Sequence, residues 1–521
     1  MNYFVLGLIV LLYLFTLAAI SWYAYKNTRN ANDYMIGGGN MSSTVMALSY
    51  GATFISASAI VGFGGVSAAY GMGIQWLCLL NILIGVIIAF IFFGKKTRKL
   101  GAELQAKTFP QLLGAYFQSK PIQVIAATVI LLGMPLYAAV VMKGGAVFIE
   151  QIFNINYNIA LLIFTLITAL YVISGGMKGV MYTSAFQAVV MFICMFFMLF
   201  GLYKALGMGF SEANRALDAM DSLVPSNFAS LGHQGWAKMP VLGSPQWYTL
   251  VTSLILGVGI GCLAQPQLVV RFLTVRSSKQ LNQGIFVGSL FLLITVGVVY
   301  HAGALSNLFF LKHNGQVATE YISDIDKIIP AFINAAMPNW FTALFMLSIL
   351  SASMSTLSSQ FHVMGTSAAS DIYADVVRKK ERKSITRLVK IGVLVSILIS
   401  YVICYTLKEG VIARGTAIFM GLCAATFLPA YFCMLYWKKT SSKAVLWSMV
   451  AGAGGSVFAL VFLHQKEAAA IGLCQAIFGR PVLIEAHPWP MIDPILFALP
   501  LSIVVIVLVS LLSRKQGQKP A

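Results

Sequence analysis

The chain has 521 residues, of which 59% are hydrophobic and only 10% charged, with a mean hydropathy of +0.84. Soluble domains carry about 25% charged residues, so a soluble enzyme, a disordered chain and a disulfide scaffold are excluded. The net charge of +19 reads as basic loops held at the cytoplasmic face rather than as a nucleic-acid surface, and the seven cysteines set out no disulfide framework.

The apolar runs are continuous, without the alternation of barrel strands. They predict an all-α protein that crosses the membrane many times. The first run, 3–25, has no cation before Lys26 and no cleavage signature. It is read as a retained helix with its N-terminus outside. Further runs follow at 45–69, 73–93, 124–147, 157–174 and 183–203. After a long polar loop come 247–270, 285–310 and 340–363, then 388–407, 416–437, 444–463 and 494–513. The expectation is thirteen spans. This orientation places the basic loops at 95–99, 276–279, 378–383 and 438–443, and the tail at 514–519, in the cytoplasm. The long loops 207–246 and 312–339 fall outside. No Walker-type glycine-rich run is present, which argues against ATP-driven transport within the chain.

Two spans are abnormal. The second, ALSYGATFISASAIVGFGGVSAAYG, is dense in Gly, Ser and Ala. The seventh, LILGVGIGCLAQPQLVVRF, holds three glycines and then Pro266 between two glutamines, and proline breaks the helix ladder. With the first span set aside, they open consecutive five-span units. Matched interrupted spans point to an inverted-repeat transporter site. In the ninth span, Ala352, Ser355 and Thr356 share one helical face. Two hydroxyls, a freed carbonyl at Ala352 and carbonyls from an unwound second span supply oxygens that a hard cation takes. Hydroxyls that bond back to their own helix are the simpler alternative.

The polar residues inside spans are few. Lys143 either snorkels to the outer surface or serves as counter-ion to a substrate carboxylate. Arg271 closes the seventh span and is expected to anchor at the inner face. Gln75 and Gln265 are candidates for hydrogen bonds to substrate. His301 and His362 are expected to be packed residues.

The stretches ALSYGATFISASAIVGFGG (47–65), YVISGGMKGVMYTSAFQ (171–187), AQPQLVVRFLTVRSSK (264–279) and SASMSTLSSQFHVMGTSAASDIY (351–373) resemble the sodium/solute symporter family, nearest to its proline and pantothenate branches. The resemblance implies a LeuT-type five-plus-five inverted repeat in one transporter domain. The extra helix would be 3–25, the first repeat 42–206, the second 247–437, and the two last helices would lie in 444–513. It implies a sodium site formed by the carbonyls of Ala52, Ile55 and Ala352 with the hydroxyls of Ser355 and Thr356. It also places the substrate-facing part of the fourth span near Leu136 and Tyr137. One departure stands out: where many members have Asp, associated in some with a second sodium site, this chain has Ser184.

The resulting expectation is a multi-pass inner-membrane symporter importing a small, carboxylate-bearing solute such as a monocarboxylate, pantothenate or proline. Sodium is the coupling ion, the bilayer the surroundings, and no organic cofactor or nucleic acid is involved. Uptake coupled to protons or to nothing, and a transporter-like sensor, are the competing readings. An enzyme is disfavoured, because no cluster of catalytic groups appears.

Overall fold

A computed structural model describes residues 3–28, 31–377 and 385–515. The basic loop at 378–383 and residues 516–519 of the tail lie outside the described residues. The structure is all-helical. Among the described residues, eleven helices are long and apolar enough to cross a membrane, and a shorter apolar segment covers 157–170.

Helix α1 (Tyr3–Lys26) is followed by α2 (Ser43–Phe54), whose first turn is capped by the Ser42 hydroxyl accepting from the Val45 amide. A wide turn over Ser58–Gly62 leads into α3 (Phe63–Tyr70). Next come α4 (Gln75–Ile82), α5 (Lys120–Phe153) and α6 (Tyr157–Leu206). At 50 residues α6 is about 75 Å of helix at 1.5 Å per residue, far too long for one span. It is broken at Gly176, which takes φ 57° with the Tyr34 ring against it.

The second half contains α7 (Pro266–Thr274), α8 (Ser278–Leu292), α9 (Val298–Asn314) and α10 (Asn339–Thr366). It ends with α11 (Ile385–Thr406), α12 (Ile412–Tyr436), α13 (Ser442–Phe462) and α14 (Ile495–Lys515). Burial separates the roles of these helices. The most apolar stretch of α10 is 89% buried and that of α1 only 22%, so α10 is the axis of the molecule and α1 faces lipid. Even so, α1 reaches inward: the Tyr13 hydroxyl lies 2.7 Å from Ser351 Oγ and accepts from Gln187 Nε2 at 3.3 Å.

Both abnormal spans are interrupted. The second breaks after Phe54, where Ile55 turns extended (φ −92°, ψ 103°). The seventh breaks at Gln265 (φ −70°, ψ 121°), with Pro266 starting α7, the position where a missing N–H costs a helix least. They run antiparallel. The start of one meets the end of the other, where the Met41 amide donates to the Thr274 carbonyl at 3.0 Å. At the opposite ends, Gln246 Nε2 donates to the Ala69 carbonyl at 3.3 Å.

The two faces of the bundle differ. On the basic face, the Arg98 side chain donates to the Val275 carbonyl, Ser278 Oγ to the Lys95 carbonyl and Lys96 Nζ to the Leu435 carbonyl, joining the basic loops at 95–99 and 276–279 to each other and to the end of α12. On the opposite, loop-covered face, Trp236 is 1% exposed, and its indole donates to the Ala68 carbonyl at 2.7 Å. A second loop lays Ile325 over Gly65, whose Cβ, if present, would stand 1.9 Å from the Ile325 carbonyl oxygen. The seven cysteines are buried and free. Cys474 sits in the short helix Leu473–Phe478.

Candidate cation and solute site

The break after Phe54 frees the carbonyls of the last turn of α2 from intrahelical bonding. α10 presses its hydroxyl face against them. Ser355 Oγ donates to the Ala52 carbonyl at 2.8 Å and to its own helix at Ala352 at 3.2 Å, and Thr356 Oγ1 donates to the Thr53 carbonyl at 3.1 Å. Ala52, Ile55, Ala352, Ser355 and Thr356 are all 0% exposed. The structure therefore brings Ala52, Ala352, Ser355 and Thr356 together. Ile55 marks the break itself, and the carbonyl that meets Thr356 belongs to Thr53. Ser355 bonds back to its own helix, as in the simpler alternative, and also across to α2.

These oxygens are neutral and hard. Among the described residues no group of three His, Cys, Asp or Glu is placed to hold a metal. A cage of hydroxyls and carbonyls without carboxylate suits a monovalent cation rather than a divalent one, whose charge would go unmatched.

The solute candidates divide. Tyr137 is 1% exposed and stacks on Phe419 with centroids 5.2 Å apart, and its hydroxyl lies near the Ser56 side chain within the break. Gln265 sits in the other break, accepting through Oε1 from Gln267, while its Nε2, Gln267 Oε1 and Ser58 Oγ are buried without a hydrogen-bond partner. The two breaks approach each other at Gly85, which Phe54 and Cys262 both crowd. Buried polar atoms are normally satisfied, so these unpartnered donors and acceptors beside the two helix breaks keep bonding capacity that the polar groups of a solute can use. Leu136, half-buried, neighbours Tyr137 on α5.

Gln75 and Lys143 stand elsewhere. Gln75 Nε2 donates to the Gly297 carbonyl at 3.0 Å and fastens α4 to the head of α9. Lys143 Nζ donates to the carbonyls of Leu407 (3.0 Å) and Lys408 (2.7 Å), capping the end of α11 at the loop-covered face as cations do at helix C-termini. Lys143 itself is buried, at 4% exposure, and its ammonium is taken up by these two carbonyls. Arg271 is a correction. It anchors at neither face: it is 0% exposed, with its guanidinium on Ser49, Thr53 and Ser359. Pro266 restarts the helix five residues earlier, so Arg271 lies one turn from the break and not at the end of a full span. Ser184 is fully buried, and its Oγ has no partner.

A family model described as the sodium:solute symporter family matches residues 34–452. The osmoregulated proline transporter OpuE of Bacillus subtilis is 26% identical over 472 residues, covering 90% of each chain. The sodium/pantothenate symporter of Escherichia coli is 27% identical over 453 residues, 84% of this chain and 87% of that one. Among solved structures, a sodium-coupled sialic acid symporter in a substrate-bound, outward-open state aligns over 99% of this chain and 98% of its own. The TM-score is 0.74 at 15% identity, so the likeness speaks for the fold.

Proposed function

The chain belongs to the sodium:solute symporter family, and from that premise we propose that it imports a small carboxylate-bearing solute with sodium by alternating access. The observation that carries the proposal is the hydroxyl face of α10 set against freed carbonyls at the break of the second span, at 2.8 and 3.1 Å. Sodium would be held there by the carbonyls of Ala52, Ile55 and Ala352 and the hydroxyls of Ser355 and Thr356. A bound cation joins the last turn of α2 to α10, so it favours whichever conformation brings them together. A ligand shifts such an equilibrium only by that difference in affinity.

In this reading there are thirteen spans, with repeats at 42–206 and 247–437, and the basic face is cytoplasmic. The antiparallel pair of broken spans is what two inverted repeats require. The solute would lie between the two breaks, against Tyr137 and Gln265, with Ser58 and Gln267 among its hydrogen-bonding groups. Proline, pantothenate and monocarboxylates are the solutes to test. The test is uptake of each radiolabelled solute by proteoliposomes under an inward sodium gradient, with choline as control. Accumulation of one of them only with sodium is expected. Accumulation driven equally by a proton gradient in choline would replace sodium with protons, and binding without accumulation would favour a sensor.

A further inference from the structure

The Arg271 guanidinium is buried on the flank of the cation site that faces the basic side of the bundle. One terminal nitrogen donates to Ser49 Oγ on α2 and lies 2.9 Å from Met181 Sδ on α6. The other donates to Thr53 Oγ1 on α2 and to Ser359 Oγ on α10. Three helices thus converge on one fixed positive charge. The same residues form the wall of the cation site. Thr53 gives its hydroxyl to Arg271 and its carbonyl to Thr356. Ser359 in turn donates to the carbonyl of Ser355 at 3.0 Å, and that residue's hydroxyl meets Ala52. The guanidinium therefore bonds two residues, Thr53 and Ser359, each of which is hydrogen-bonded in turn to a residue assigned to sodium, Thr356 and Ser355.

We propose that Arg271 is a resident cation of the coupling site: it occupies the inner hydroxyls that a second mobile cation would need, and its charge limits how tightly the first sodium is held. The inference rests on the sodium reading above. Hydroxyl oxygens that already receive N–H donors from a guanidinium present fewer lone pairs to a metal ion. Two like charges in a low-dielectric interior repel strongly. Ser184, one turn from Met181 on α6, supplies no carboxylate to offset the added charge. The arrangement also gives sodium a direction. An ion held loosely against a fixed cation leaves readily once α2 moves away from α10, and the guanidinium, tethered to α7, stays behind. Arg271 is thus a positioning residue for the ion and touches no solute.

The test uses the full-length detergent-purified protein. Sodium is titrated against thermal unfolding at constant ionic strength with choline, for the parent, Arg271→Met, Arg271→Gln and Arg271→Lys. Arg271→Met removes the charge and frees the hydroxyls. Arg271→Gln removes the charge but keeps a donor, so it decides the matter if the methionine variant does not fold. Both should lower the half-saturating sodium concentration by about tenfold. Arg271→Met should also raise the Hill coefficient above the parent's, and Arg271→Lys should shift half-saturation less than either. Sodium-driven turnover should fall in the two neutral variants, because release slows. A purely structural arginine would instead weaken sodium binding when removed. Half-saturating sodium that is unchanged or higher in monodisperse neutral variants overturns the proposal while leaving the sodium site standing. No sodium stabilisation of the parent over choline overturns the sodium reading itself.

Discussion

Thr356→Val separates a cation ligand from a packing residue, because valine keeps the shape of threonine and removes only its oxygen. In the structure Thr356 Oγ1 is fully buried and donates to the Thr53 carbonyl at 3.1 Å. The substitution therefore has two consequences that appear in different measurements. The Thr53 carbonyl loses its donor in a buried place, which costs about 1–3 kcal/mol of stability. The ion loses one oxygen, and an interaction with a charged group is worth about 1.5–3 kcal/mol. At about 1.4 kcal/mol per decade, half-saturating sodium should rise roughly ten- to a hundredfold. Solute affinity at saturating sodium should change much less. Ser355→Ala should behave alike, and Thr356→Ser, which restores the oxygen, should recover most of the loss. The assay is solute binding to purified protein across a sodium titration. Half-saturation within about twofold of the parent in both Thr356→Val and Ser355→Ala would refute the ligand assignment.

Asp326 lies in the lid over Gly65, 1% exposed, and burial with Asp324 alongside pushes its carboxyl up from 3.8 to about 7, against the opposing pull of Lys143 and the amides of Gly410 and Ile412. A carboxyl raised on folding leaves stability intact below about pH 3.8 and withdraws it as pH climbs to about 7. Asp326→Asn should therefore unfold at a higher temperature than the parent at pH 8 and at nearly the same temperature near pH 4; a gap independent of pH contradicts the assignment. A cysteine at Asn227, in the loop sealed by Trp236, should react with an impermeant maleimide from outside the cell against a quiet background of seven buried thiols, and labelling only from the cytoplasmic side contradicts the proposed orientation. Ser184→Asp places a carboxylate near the cation site and should raise the sodium Hill coefficient from about one; a coefficient near two in the unsubstituted protein shows that Ser184 does not set stoichiometry.

The interruptions were legible because backbone chemistry announces them: Pro266 denies α7 an N–H partner upstream, and the run of Gly, Ser and Ala around Ile55 cannot sustain a stiff span. The face of Ala352, Ser355 and Thr356 was legible because helical spacing is fixed. The acceptor across from Thr356 was not, because which carbonyl faces it depends on how the chain turns after Phe54. Arg271 escaped for a related reason. Counted along the sequence it ends a membrane span, and only the restart at Pro266 turns it inward. Trp236 lies in a long polar loop, and nothing near it in the chain signals that its indole will seal the end of α3. Lys143 and Gln75 show the converse. Both are polar residues in apolar runs, and both are spent on carbonyls at helix junctions.

The hydrogen bond from Met41 to Thr274 ties the half-helix that begins one broken span to the half-helix that ends the other. Neither half is continuous with the rest of its span, and the two are joined where they leave the bundle. Under the proposed reading, a cation at the end of α2 and a solute at Gln265 would each act on one of two joined half-helices, so coupling between ion and solute would need no contact between them: a shared lever arm would suffice.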